Sequence, residues 1–171
     1  FHKKDLDKIL NLGLVQPEFM LNDANSFVDA TYKCVEYLNF TTDRASRVPT
    51  SIIIAMAGIE SGWGTSRFAV DGNNLFGIRT WNLDEPHLKP LGIEKPNFGL
   101  KKYATKCDSV KDMIRNLNTH TAYTDFRVER STQLHSGSWD YDRLMPLVHA
   151  WSTNPHYAKV ILRTINERKL P

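Results

Sequence analysis

The chain has 171 residues, of which 41% are hydrophobic and 11% aromatic; this suits one domain with its own core and excludes a disordered polymer. Twenty-two Lys and Arg against 19 Asp and Glu give a net charge of +3, but the basic residues are scattered, so no nucleic-acid partner is expected. No stretch reaches the roughly 20 apolar residues of a membrane helix, and the six histidines have no metal-ligand spacing, so neither membrane insertion, metal nor cofactor is expected.

The chain opens at Phe1 without an initiator Met, as expected of a processed form or an excised domain. Residues 1–24 read as a short arm, weakly amphipathic over Asp5 to Leu10 and interrupted by Gly13 and Pro17; the domain proper is expected over 25–171. Asn25-Ser26 should cap a helix from about Phe27 to Phe40. Cys34 lies on the apolar stripe of that helix, so a buried free thiol is expected, with pairing to Cys107 the alternative in an exported chain. A polar connector, Thr41 to Val48, leads to a helix from Pro49 to Ile59 that is apolar nearly all round and therefore central. A short helical turn over Thr65 to Ala69 should end at Asp71-Gly72.

Beyond it, Ile78 to Trp81 and Phe98 to Tyr103 read as a strand pair, with Pro86, Pro90 and Pro96 crowding the loop between them. Asp108-Ser109 should cap a helix through Leu117; another is expected over Tyr123 to Leu134, and a third over Tyr141 to Trp151, broken at Pro146. Asn154-Pro155 open a last helix with Ala158, Ile161, Leu162 and Ile165 facing inward. The sum is an α+β domain, mainly α, with a small β lobe.

One acid stands out. Glu60 ends the apolar helix and follows Ala57, Met56 and Ile53 by three, four and seven residues, which places its carboxyl on a greasy face. Apolar surroundings and the negative end of the helix dipole both disfavour the carboxylate, so its pKa should rise, as a general acid requires. Gly62 and Gly64 bracket Trp63 just beyond, and Asn73-Asn74-Leu75-Phe76-Gly77 form a second polar and glycine-bearing cluster, as the floor and wall of a cleft would.

The run Glu60-Ser61-Gly62-Trp63-Gly64, followed by Asn74-Leu75-Phe76-Gly77-Ile78, resembles the signature of the bacterial glucosaminidases of glycoside hydrolase family 73. Tyr103, Asp108-Ser109-Val110 and Asn154-Pro155-His156-Tyr157-Ala158 resemble the same family, most closely its Bax-like branch. The resemblance implies a lysozyme-like helical fold whose β lobe flanks the cleft, and cleavage of the β-1,4 bond after N-acetylglucosamine in peptidoglycan glycan strands. A monomer is expected, acting in the periplasm or cell envelope or exported. The resemblance carries the catalytic acid onto Glu60 and a cleft tyrosine onto Tyr157.

The family places its second carboxylate in the β lobe, which favours Glu94 over Asp84 and Glu85; the substrate's own 2-acetamido group is the alternative to any carboxylate nucleophile. Trp81 is expected to contact sugar ahead of Trp63, with Phe76, Tyr103 and Asn73 as further substrate contacts and Asn74 holding the turn. Two other functions use the same pattern: a lytic transglycosylase, which leaves an anhydro sugar end, and a non-catalytic wall-binding module.

Overall fold

The structure, a computed structural model, describes residues 24–171; apart from Ala24, the arm expected over 1–24 lies outside them. Helix α1 (Ala24–Asn39) opens a few residues earlier than the sequence suggests, so Asn25 and Ser26 lie in its first turn instead of capping it. Helix α2 (Thr50–Ser61) follows, with Pro49 at its cap and the Pro49 carbonyl accepting from the N–H groups of Ile52 and Ile53. Every side chain from Ile52 to Ala57 is 0% exposed, which is what a helix apolar all round requires.

Helix α1 packs on one side of α2, and the last helix, α7 (Tyr157–Arg168), on another. Ser51, at the start of α2, donates to the carbonyls of Leu170 and Pro171 beyond the end of α7. Tyr157, at the start of α7, lies against Glu60 at the end of α2, so the two helices run antiparallel. Helices α4 (Lys106–Thr119) and α5 (Thr124–Ser136) close the rest of the core, with short α3 (Arg67–Gly72) and α6 (Tyr141–Leu144) at its margins. Pro146 divides the segment expected over Tyr141 to Trp151, whose second part is a 3-10 turn from Met145 to Trp151.

The β lobe has three strands, not the two expected: β1 (Arg79–Thr80), β2 (His87–Leu88) and β3 (Gly99–Lys101). Their order is β1-β3-β2, both pairs antiparallel, with Thr80 opposite Gly99 and His87 opposite Lys101. The extra strand comes from the proline-rich loop, where only two residues pair. A side chain at Gly99 would run into the His87 ring at 2.5 Å, so the close approach of β2 depends on that glycine.

Two expectations are corrected. Helix α4 is capped by Thr105, whose hydroxyl accepts from the Asp108 N–H at 3.1 Å; Ser109 is buried inside the helix and its hydroxyl accepts from the Leu75 N–H instead. The free thiol expected at Cys34 is a disulfide to Cys107, because packing of α1 on α4 brings their Cα atoms to 5.7 Å. The bond spans a sequence separation of 73, and closing a loop of that length is worth about 4 kcal/mol in the chain-entropy view. Replacing both cysteines by Ala should therefore lower unfolding stability by roughly 3–4 kcal/mol in a denaturant titration. A midpoint equal to that of the parent chain would show that the bridge does not hold α1 to α4.

Candidate active site

The site starts where α2 stops. Gly62 (φ 57°), Trp63 (φ 55°) and Gly64 (φ 85°) are three successive left-handed residues, and the N–H groups of Gly62 and Trp63 both return to the Gly58 carbonyl. A non-glycine residue in this region costs on the order of 1–2 kcal/mol. Trp63 is held there by its ring, which folds back over Gly58, meets Phe27 edge-on at 5.9 Å and lies under the Arg168 guanidinium at 3.8 Å. A Cβ at Gly58 would stand 2.5 Å from that ring. Trp63 thus closes the helix end from behind, a packing role that leaves Trp81 as the exposed aromatic, at 66%.

Glu60, one residue before this turn's hinge, is only partly exposed. Burial raises its pKa above the usual carboxylate value, and the Tyr157 hydroxyl draws it partly back. Tyr157 is 4% exposed, and burial, the Glu60 charge and the nearby Tyr123 push its own pKa far above that of a free phenol. The two groups sit close enough to move each other's protons, yet the Tyr157 oxygen makes no hydrogen bond of regular geometry and is sealed from solvent. The Glu60 carboxyl is nonetheless the group this hydroxyl faces, and a hydrogen bond between them is what lowers the Glu60 pKa and raises that of Tyr157. Tyr157 is placed by the Asn154 turn, in which the Asn154 carboxamide oxygen accepts from His156 N–H at 2.9 Å and its carbonyl from Tyr157 N–H at 3.1 Å.

A groove of about 300 Å³ opens at Tyr123. Phe76, Ile78, Arg79, Trp81, Asn116 and Trp151 line it as well. Neither Glu60 nor Tyr157 lines this groove; Tyr123 is the lining residue that bears on the Tyr157 phenol. Phe76 is 3% exposed and meets Trp151 edge-on at 6.0 Å, so it forms the floor. A second hollow, of about 200 Å³, lies at the opposite end of α2 beside Arg44, Arg47 and Trp139. There the Arg47 guanidinium is spent on the carbonyls of Thr42 and Asn39, and no carboxylate lines the wall.

The remaining sequence candidates are placed as follows. Asn74 is fully buried and bonds the backbone of Phe76, Ile78 and Lys101, the structural role expected of it. The Asn73 amide donates to the carbonyls of Tyr103 and Ala104 and accepts from Lys106 Nζ, so its side chain ties α3 to the start of α4. The Tyr103 hydroxyl donates to Asp112, which also pairs with Lys101 and Arg115. In the lobe, Glu85 accepts from the Thr80 hydroxyl, while Glu94 is exposed and makes no hydrogen bond or ion pair among the described residues. Three groove residues, Asn116, Tyr123 and Trp151, were not singled out as site residues from the sequence; each is an ordinary helix or turn residue there, and only the fold brings them into one groove with Trp81.

A family model described as mannosyl-glycoprotein endo-beta-N-acetylglucosaminidase matches residues 41–170. The chain is 37% identical to protein bax of Escherichia coli over 95 residues, covering 54% of this chain and 32% of that protein. It is 30% identical to the peptidoglycan hydrolase FlgJ of Vibrio cholerae over 153 residues, covering 79% of this chain and 43% of that one. The chain thus spans less than half the length of these curated relatives. In fold it is similar to the catalytic domain of the autolysin Auto from Listeria monocytogenes, with a TM-score of 0.64, 18% identity and coverage of 99% and 96%. A peptidoglycan hydrolase from Sphingomonas sp. A1 gives 0.63, with 22% identity and coverage of 85% and 89%.

The Glu60 shift has a consequence for stability. A folded pKa raised above the unfolded one stabilises the fold only at low pH, and that contribution is lost as pH rises through the folded value. Glu60→Gln, neutral throughout, should melt at or above the parent chain at neutral pH, with the gap closing as the solution is acidified. A variant that melts lower than the parent at neutral pH would mean that the carboxylate is a structural partner, not a strained one.

Proposed function

The chain belongs to the glucosaminidase family of glycoside hydrolases, and on that footing we propose that it cleaves peptidoglycan at the β-1,4 bond after N-acetylglucosamine, with Glu60 as general acid. One observation carries the reading: a half-buried carboxyl of raised pKa is paired with the buried Tyr157 hydroxyl, and Tyr123, which bears on that tyrosine, lines an aromatic groove. The aromatic walls suit the apolar faces of sugar rings. In the reaction Glu60 gives its proton to the leaving glycosidic oxygen as the bond to the anomeric carbon breaks. Tyr157 steadies the carboxylate that remains and the group that attacks on the sugar.

The attacking group is the finer question. A carboxylate nucleophile sits about 5–5.5 Å from the acid in retaining enzymes, and among the described residues no carboxylate joins burial and Tyr157 as a cause of the Glu60 shift. That favours the substrate's 2-acetamido oxygen as the group that first bonds the anomeric carbon, with water then displacing it and returning a proton to Glu60. The same one-acid geometry serves a lytic transglycosylase, in which the sugar's own 6-hydroxyl replaces water and leaves an anhydro end. Action in the periplasm or cell envelope fits the Cys34–Cys107 bridge, since disulfides persist in oxidising compartments.

Digestion of purified peptidoglycan, with mass analysis of the fragment ends, tests the reading: reducing N-acetylglucosamine ends are expected. Anhydro ends would replace the hydrolase with a transglycosylase, and undigested walls would leave only a binding module. Glu60→Gln should cut turnover by roughly 10²–10⁴-fold, while Glu94→Gln should stay near the parent rate; a loss at Glu94 as deep as that at Glu60, with binding intact, would restore the two-carboxylate mechanism. Tyr157→Phe should lower turnover about tenfold and move the alkaline limb of the pH profile upward, because the hydroxyl that lowers the Glu60 pKa is gone. Full activity in a variant that melts much earlier would make Tyr157 a core residue instead.

A further inference from the structure

Asn116 and Tyr123 face the groove with polar groups that the protein itself does not use. Asn116 lies in the last turn of α4, half-buried, and its carboxamide makes no hydrogen bond among the described residues. Tyr123 is 7% exposed and lines the same groove; its hydroxyl also makes no hydrogen bond among the described residues, and unlike that of Tyr157 it is not sealed from solvent. Both groups are open to water in the free protein and so remain available to a ligand that enters the groove.

Their placement is fixed by one turn. His120 N–H donates to the Asn116 carbonyl at 2.9 Å, and Tyr123 N–H donates to the His120 carbonyl at 3.1 Å. The His120 ring nitrogen Nδ1 accepts from Ala122 N–H at 3.0 Å, which locks the 3-10 turn between them. The Trp151 ring lies against Tyr123, centroids 6.1 Å apart, and against Phe76. A carboxamide, a phenol and an aromatic surface therefore share one wall of the groove.

That combination matches one chemical group. An acetamido substituent offers an N–H donor, a carbonyl acceptor and a methyl; a carboxamide can exchange both hydrogen bonds with it, a phenol can donate to its carbonyl, and an indole face can cover the methyl. A free hydroxyl or amine at the same sugar carbon would leave these groups unpaired, which is how a polar site rejects an analogue lacking its partner. We propose that Asn116, Tyr123 and Trp151 form a subsite that recognises the N-acetyl group of a bound hexosamine. The inference rests on the groove being the glycan groove of the proposed function and adds which residues read the acetyl group.

The experiment measures binding, apart from cleavage. In a Glu60→Gln background, the fluorescence of the groove tryptophans Trp81 and Trp151 would follow titration with chitotetraose, fully N-acetylated or fully de-N-acetylated. The acetylated sugar should bind the tighter. Tyr123→Phe, which keeps the ring against Trp151, and Asn116→Leu, which keeps the volume, should each weaken the acetylated sugar about five- to tenfold with the de-N-acetylated one little changed. The preference should therefore narrow at unaltered melting temperature. A preference that persists in both variants overturns the subsite even where the parent chain digests peptidoglycan. Absence of binding by either sugar, together with undigested peptidoglycan, overturns the function on which the subsite rests and the subsite with it.

Discussion

The constraint on which the site depends is that α2 is buried on every side. A helix sealed from Ile52 to Ala57 has only its ends at the surface, so a carboxyl in its last turn is only partly hydrated. Desolvation is accordingly the largest influence on Glu60, and the negative end of the helix dipole adds to it. The chain must also leave α2 at once, and three left-handed residues do this immediately beyond Ser61. The strain of putting Trp63 in that conformation is offset by burying its ring between Gly58, Phe27 and Arg168. Core packing and site geometry are thus one arrangement: what stops the helix also fixes the acid.

Unpaired buried polar atoms are not by themselves marks of function. Asn118 Oδ1 in α4 and Arg130 Nε in α5 are buried without partners too, although each residue bonds a backbone carbonyl of the connector between α1 and α2, Ser46 or Arg47, through another atom. Tyr157 differs because it has no other polar atom to spend, and because the group it acts on is the acid itself. Function is read from the coincidence of a buried hydroxyl aimed at an acid, a shifted carboxyl and a groove, none of which suffices alone.

Much of this was legible in the chain. The continuous apolar run Ile52 to Ala57, the glycines around Trp63 and the Asn154-Pro155 turn announce α2, its abrupt end and the start of α7, because each depends on local chemistry. What escaped depends on contacts distant in sequence. The Cys34–Cys107 bridge needs the packing of α1 on α4, and β2 is two residues whose pairing with β3 exists only because Gly99 admits His87. Thr105 outcompetes Asp108-Ser109 as the cap, since the Ser109 hydroxyl is required by Leu75 across the core. Asn116 and Tyr123 could not be told from ordinary polar and core residues, for being unspent is a property of the folded surroundings.

The lobe completes the argument about how many carboxylates the chemistry employs. Its root is tied down: Tyr103 N–H donates to the Gly72 carbonyl, Arg67 reaches the Lys89 carbonyl, and Asp112 gathers Tyr103, Lys101 and Arg115. Glu85 sits at that root and is engaged by Thr80, whereas Glu94 lies beyond Gly92 on a tip whose Leu91 and Ile93 are exposed. A carboxylate that must meet the anomeric carbon needs its own geometry held to within fractions of an ångström. The lobe gives such support to Glu85, which is bonded elsewhere, and none to Glu94. The group held beside Glu60 is the Tyr157 phenol, and on the proposed reading the substrate's acetamido arm would bring the nucleophile that Glu94 is not held to supply.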